Sequence, residues 1–383
     1  MEGEIVNILR DLVKINSVNP TLSHGPGEED ISNFVAHYLS KLGLQTETQR
    51  MDDKRGNVIA VIPGTDRKKS LLLNAHLDTV GTEEMEDPFT LKRQGDKLSG
   101  RGAYDMKGSI AAMLLLGKYF SQYKPCVDLL LTFVADEEDK SKGTEFLMGK
   151  WLPQFPSFPI GGIFLEPTEL DIGVSHKGFA WYEVEVSGKS SHGSKPDEGI
   201  DAIFPLVAAL GELKDIQSDL LTHEAHPLLG HASLHVGLIA GGTALNIIPS
   251  RSLLQWERRT LPGESPRDID FEMDRVIQAI RNIPGNHRIK GRRILMRSPY
   301  EISGAAPIVN KLRSASPKSR LRGFPFWADS ALAGAAGIPS VLFGPAGHGA
   351  HGTDEWVSLK SLVDLYEILR NFVMAFDAGG RPK

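Results

Sequence analysis

Cysteine is nearly absent. Cys126 stands alone among 383 residues, so no intrachain disulfide can brace the fold, and a reducing compartment suits the chain. The opening Met1-Glu2-Gly3-Glu4 is acidic and runs into a helical pattern. It lacks the basic and apolar regions of a secretory leader, and the expected location is the cytoplasm. Long apolar runs are missing too. The longest, Ile110 to Leu116, stops at Gly117-Lys118, short of the ~18 residues that span a bilayer. Positive charge is not in excess. A formal net charge of -5 argues against nucleic acid as the main partner, a local basic patch aside. No internal repeat or low-complexity tract interrupts the chain.

What is present is an ordinary globular balance, 41% hydrophobic and 24% charged, in a chain long enough for two or more packed domains. Ile5, Ile8, Leu9, Leu12 and Val13, then Ile31, Phe34, Val35, Tyr38 and Leu39, recur at helical spacing. Val58 to Pro63, Ser70 to Asn74, Asp128 to Ala135, Gly162 to Leu165 and Pro339 to Phe343 read as strands. The continuous apolar runs among them fit strands covered on both faces. Gly108 to Phe120 reads as a buried helix and Ser358 to Phe376 as a closing amphipathic one. This alternation predicts an α/β domain with a mixed, mostly parallel sheet sandwiched by helices.

The texture changes near Lys177. Phe179 to Val186 alternates in the manner of a one-sided strand. A helix (Ile200 to Leu213), two strands (Ser233 to Ile239 and Ser250 to Arg259), a helix (Pro266 to Ile280) and a strand (Arg293 to Arg297) follow. The order β-α-β-β-α-β predicts a ferredoxin-like α+β domain over 178–301. It interrupts a discontinuous domain made of residues 1–177 and 302–383.

Five groups of residues carry chemistry. His76 and Asp78 close the strand from Leu71, and alternate residues of a strand share a face. Asp105 sits in the glycine-rich Gly100-Arg101-Gly102-Ala103-Tyr104-Asp105-Met106-Lys107-Gly108, where it could equally cap the next helix. Asp136-Glu137-Glu138-Asp139 comes directly after the apolar strand. Crowded acids repel unless a solvated loop or a metal relieves them, and open α/β sheets place ligands at the carboxyl ends of strands. Glu166 stands at another strand end, and Gly347 to Glu355 holds His348 and His351, between which spacing does not choose. Histidines and carboxylates together form the mixed donor set of zinc. A shared carboxylate could bridge two ions about 3.5–4 Å apart, a pairing suited to amide hydrolysis by a metal-activated water.

This combination resembles the M20 metallopeptidase and amidohydrolase family. The group includes acetylornithine deacetylase, succinyl-diaminopimelate desuccinylase, aminoacylase and the glutamate carboxypeptidases. The likeness runs over nearly the whole chain, with the motifs in the family's order. It implies a di-zinc peptidase-like catalytic domain with an inserted lid and dimerisation domain, and a cytoplasmic homodimer paired through that lid.

The resemblance implies that Asp105 bridges two Zn(2+) ions per subunit, with cobalt or manganese as possible substitutes. His76 and Glu166 complete one site, and Glu138 and His351 the other. Glu137 is the implied general base, and Asp78 the residue that orients His76. His351 is preferred to His348 because Ala350-His351 precedes Asp354-Glu355-Trp356. The family often has a cis peptide at the position of Asp105-Met106. In the insertion, Ser191-His192-Gly193-Ser194-Lys195-Pro196 resembles the lid histidine motif, with His192 at the oxyanion of the partner's site. Gly241 to Pro249 resembles the lid asparagine motif, with Asn246 as a substrate contact. Arg259 in Glu257-Arg258-Arg259-Thr260-Leu261-Pro262-Gly263 is expected to bind a substrate carboxylate, with Arg258 as its rival. Gly344 is expected to meet substrate through its backbone.

The lid motif points to hydrolysis of N-acyl amino acids in the manner of acetylornithine deacetylase. The alternatives are a dipeptidase or carboxypeptidase of the same family, its desuccinylase branch, and a catalytically silent binding protein on the same scaffold.

Overall fold

The structure, a computed structural model, describes residues 1–52 and 54–376. The chain divides into two compact units. Among the described residues the first comprises Met1–Val174, Ile302–Arg322 and 328–376; the second comprises Ser175–Glu301 and Gly323–Trp327. The sequence leaves residues 323–327 with the first part, but Trp327 ties them to the second. Its indole donates to the Ser298 carbonyl at 3.0 Å, and its ring meets Phe179 edge-on with centroids 6.0 Å apart.

The first unit is built on one sheet. Across it lie Gln45–Arg50, Gly56–Ile62, Val127–Val134, Asp66–His76, Pro159–Phe164, Ser340–Leu342 and Ile172–His176. Val127–Val134, Asp66–His76, Pro159–Phe164 and Ser340–Leu342 run parallel to one another, and the flanking strands pair antiparallel. Every residue of Gly56–Ile62 and Val127–Val134 is buried, as their apolar runs predict. Leu71, Leu73, Leu129 and Leu131 join one core with the inner faces of helices Glu2–Lys14, Glu29–Lys41, Gly108–Phe120 and Leu359–Ala375. Each such side chain contributes about 1.5–3 kcal/mol by leaving water. Ile59, Leu72 and Leu130, on the alternate positions, are buried as well, so both sheet faces are covered.

Gln45–Arg50 is a strand that the sequence does not predict. Gln-Thr-Glu-Thr-Gln-Arg buries only Gln49 and shows no apolar run. A small separate sheet of Gly347–His348, Trp356–Ser358, Lys97–Ser99 and Lys92–Gln94 is likewise invisible in the pattern. Cys126 is half-buried.

The second unit has an antiparallel sheet in the order Ser233–Gly241, Arg251–Thr260, Gly178–Ser187, Arg288–Arg297. Helices Pro205–Thr222 and Pro266–Arg281 share its core through Leu206, Leu213, Ile269 and Val276 against Tyr182, Val184 and Trp256. The β-α-β-β-α-β order and the strand arrangement are ferredoxin-like. The first helix starts at Pro205, which suits a first helical position, and runs to Thr222 with Ile216 and Leu220 buried. Among the described residues no helix is long and apolar enough to cross a membrane.

Candidate metal centre

The parallel strands of the first unit deliver their chemistry to one end of the sheet. His76 is the last residue of Asp66–His76. Glu137 and Glu138 lie just past Val127–Val134, Glu166 two residues past Pro159–Phe164, and Gly344 two past Ser340–Leu342. These are the carboxyl ends of parallel strands, where open α/β sheets hold ligands. Asp105 comes from the turn that precedes helix Gly108–Phe120, and that helix has no side-chain cap at its start. Asp105 is therefore free of the capping role that its position could have given it. The Asp105-Met106 peptide is cis.

Two donor groups form around Asp105. His76, Asp105 and Glu166 make one; Asp105, Glu138 and His351 make the other, the ligand atoms of each lying within 4.8 Å of one another. Asp105 Oδ1 lies 3.1 Å from His76 Nε2, and its Oδ2 lies 3.4 Å from His351 Nε2. The two oxygens of one carboxylate thus serve the two groups. His351 Nε2 is also 3.0 Å from Glu138 Oε2, while Glu138 Oε1 is buried with no hydrogen-bond partner among the described residues. A buried, unpartnered carboxylate oxygen beside an imidazole is a donor suited to a cation, and the N/O set fits zinc. His348 instead pairs with Asp354, at 3.2 Å, and stays outside both groups.

The electrostatics arise from crowding several carboxyls into a dry site. Burial, then the Glu166 carboxylate, pushes the Glu137 carboxyl well above its usual range. Burial pushes Glu166 up to about 8. Burial acts the same way on Asp105, but the His351 and His76 imidazoles outweigh it and hold Asp105 well below the usual carboxylate range. Hydrogen bonds to Asp105 and Glu138 lift His351 to about 11. A carboxyl poised above its usual range and next to cation-binding donors can act as a proton carrier near neutral pH.

Asp78 supports this site in two ways. Its backbone carbonyl takes His76 Nδ1 at 2.9 Å, and its carboxylate accepts the Glu137 and Glu138 amides, both at 3.1 Å. Asn19 donates to Asp78 at 2.9 Å and to Asp136 at 3.3 Å, and Arg55 pairs with Asp136 at 2.5 Å. Sequence reasoning assigns no individual role to Asn19, Arg55, Asp136 or Glu355. Only Asn19 carries a local signal: Asn before Pro20 is a helix cap with a first-turn proline after it, and its Oδ1 does accept the Thr21 amide at 2.9 Å. Gly344 is a glycine for steric reasons. A Cβ there would lie 2.1 Å from the Glu166 carbonyl oxygen.

The remaining sequence-predicted residues lie in the second unit. His192 is exposed and bridges Ile247, and the Gly193 amide donates to the Asn246 carbonyl at 2.8 Å. His192 and the exposed Asn246 are therefore neighbours. The Ser194 amide donates to His192 Nδ1 at 3.2 Å, which leaves Nε2 as the protonated nitrogen of a neutral ring. Arg258 is buried, with its guanidinium bound by Glu272, Glu264 and the Arg259 carbonyl. Arg259 is half-buried, pairs with Glu257 at 2.6 Å and lies over the Phe179 ring.

The family model described as peptidase family M20/M25/M40 matches residues 72–375. The chain belongs to that family. It is 28% identical over 393 residues to an acetylornithine deacetylase of Photorhabdus laumondii, with 97% of each chain covered. The M20 family metallo-carboxypeptidase Sso-CP2 of Sulfolobus solfataricus shares its fold, with a TM-score of 0.78 and 17% identity over 97% of this chain and 98% of that one. A Bacillus subtilis protein described as a dinuclear metal-binding peptidase of the M20 family superposes with a TM-score of 0.71 and 16% identity, covering 97% of each chain. As an M20 member the chain is a metal-dependent hydrolase.

Proposed function

We propose that this M20 hydrolase removes the acyl group from N-acyl amino acids, with substrates of the acetylornithine type. The observation that carries the reading is the Asp105 carboxylate shared between two donor groups, with the Glu137 carboxyl beside them. His76, Asp105 and Glu166 would hold one zinc ion, and Asp105, Glu138 and His351 a second; cobalt or manganese could substitute. When bound, such ions polarise the amide carbonyl and activate water.

The chain's own residues do the rest. Glu137 takes the proton of the attacking water and passes it to the leaving amine. His192 offers Nε2–H to the developing oxyanion. Arg259 binds the α-carboxylate, a task that Arg258 cannot share because Glu264 and Glu272 already hold it. Asn246 and Gly344 contact the rest of the substrate.

The active form in this reading is a cytoplasmic homodimer paired through the second unit, with His192 reaching the partner's site. Support comes from the open sheet edge at Ser233–Gly241, where Val236, Leu238 and Ile239 are exposed, and from exposed Val207 and Leu210 on the neighbouring helix with Phe204 just before its start. Residues 178–301 would then be the lid and dimerisation domain, and 1–177 with 302–383 the catalytic one.

The test is a substrate panel on the zinc-loaded protein: N-acetylornithine and other N-acetyl amino acids, N-succinyl-diaminopimelate, and dipeptides. Hydrolysis of the acetyl amino acids with loss of about 10²–10⁴ in rate for Glu137→Gln at unchanged metal content is expected. Brisk dipeptide cleavage without deacylation overturns the reading in favour of a peptidase like the Sulfolobus carboxypeptidase. Full activity of Glu137→Gln overturns the assignment of the base.

A further inference from the structure

Glu355 is buried, and its two oxygens take four donors from one loop. Oε2 accepts Arg101 Nη1 at 2.8 Å and the Gly102 amide at 2.9 Å; Oε1 accepts the Tyr104 amide at 2.9 Å and the Asp105 amide at 3.1 Å. Glu355 lies four residues after His351 and leads into Trp356–Ser358, which pairs with Lys97–Ser99 just ahead of that loop. One carboxylate therefore fastens the segment bearing His351 to the segment bearing Asp105. The Asp105 and His351 side chains meet at 3.4 Å on the far side of this clamp. Three backbone amides directed at one carboxylate fix where the Asp105 backbone lies, and with it the reach of the Asp105 side chain.

We infer that Glu355 is a positioning residue for Asp105: by holding the Asp105 amide it keeps one carboxylate facing both donor groups, so binding of the second metal ion depends on it. The inference rests on the proposed reading of Asp105 as the shared ligand. Glu355 touches no reacting group in that reading, and its effect is expected in metal stoichiometry before it is expected in chemistry.

The test must separate positioning from charge balance. Arg101 is buried, and its Nε and Nη2 have no partner among the described residues. Glu355→Gln alone would leave that guanidinium uncompensated and could unfold the chain. The double variant Arg101→Met/Glu355→Met removes the charge pair and every oxygen of the clamp together. Arg101→Met alone removes the pair but leaves three amides on Glu355, and Glu355→Asp keeps the charge while withdrawing its oxygens by one methylene.

Each metal-stripped protein is titrated calorimetrically with Co(2+), and its melting temperature is recorded. The wild type and Arg101→Met are expected to take two equivalents. The double variant and Glu355→Asp are expected to keep the first and to bind the second about 10–100-fold more weakly. A folded double variant or a Glu355→Asp that binds both equivalents like the wild type overturns this inference alone. A wild type that takes fewer than two, or an Asp105→Ala that still takes two at full affinity, overturns the shared-ligand reading beneath it.

Discussion

His76 is held by the carbonyl of Asp78 and not by its carboxylate. The ring Nδ1 lies 2.9 Å from the Asp78 carbonyl oxygen and 3.6 Å from the nearer carboxylate oxygen. The carboxylate is engaged elsewhere, accepting the amides of Glu137 and Glu138. Asp78 thus joins the strand that ends in His76 to the loop that carries the proposed base. Main chain serves one task and side chain the other, so a substitution can separate them.

Asp78→Asn leaves the carbonyl grip on His76 intact but replaces one acceptor oxygen with a donor that cannot take an amide. The Glu137–Glu138 loop then loses an anchor. We expect kcat to fall about 10–100-fold, with the metal of the His76 group retained. Metal analysis alongside steady-state kinetics checks this. Loss of that metal in proportion to activity would show that the carboxylate governs His76 after all.

The strand ends are legible in the sequence because parallel strands buried on both faces leave continuous apolar runs, and the residues just past each run stand at one edge of the sheet. His76, Glu137, Glu138 and Glu166 come from such ends, and His351 and Asp105 from glycine-rich turns. The contacts that Asn19, Asp136 and Glu355 make are not legible. Their partners are 59, 81 and 254 residues away in the chain, and no local pattern encodes a contact of that range. The polar edge strand Gln45–Arg50 and the charged start of Arg288–Arg297 escape for another reason. Solvated strand faces carry no apolar alternation.

The two neighbouring arginines are expected to fail in different ways. Arg258 is 1% exposed, with Glu264 and Glu272 as partners. Arg258→Ala leaves both acids uncompensated and should cost about 3–5 kcal/mol of stability. Arg259→Ala should leave the melting temperature nearly unchanged and weaken substrate carboxylate binding by about 1.5–3 kcal/mol, a KM rise of about tenfold or more. Thermal melts and KM values for both variants decide the matter, and a large KM effect confined to Arg258→Ala would reverse the assignment.

Gly344→Ala tests how closely two strand ends must approach. The added methyl would sit 2.1 Å from the Glu166 carbonyl oxygen and 2.7 Å from that of Leu165. Backbone cannot give way as a flexible side chain can, so Glu166 must shift. Overpacking of this kind costs about 1–3 kcal/mol, and the first donor group should lose metal affinity with it. Melting curves and a zinc titration of Gly344→Ala read both effects. Unchanged affinity would mean that Glu166 tolerates the shift.

The stability of the metal-stripped protein is expected to fall as pH rises from 7 to 9. Burial lifts Glu28 from 4.5 to about 9 and Glu166 from 4.5 to about 8, and hydrogen bonds to Asp105 and Glu138 lift His351 from 6.5 to about 11. In this interval the unfolded chain has largely released those protons, while the folded chain keeps that of His351 throughout and gives up those of Glu166 and Glu28 only as pH passes about 8 and about 9. Stability therefore declines with pH, because proton binding favours the folded state less and less. Lys107 opposes the trend. Burial lowers it from 10.5 to about 7, so the unfolded chain holds the extra proton between pH 7 and 9 and folding gains there. Glu137 and His76 are likewise raised well above their usual ranges, so the raised groups outweigh Lys107, and the melting temperature at pH 9 should lie below that at pH 7. Zinc should flatten the slope by taking the place of protons on His76, Glu166 and His351, leaving Glu28 and Glu137 against Lys107. Calorimetric melts of chelator-treated and zinc-loaded protein at both pH values measure the difference. An equal or higher melting temperature at pH 9 without metal would refute the proton count.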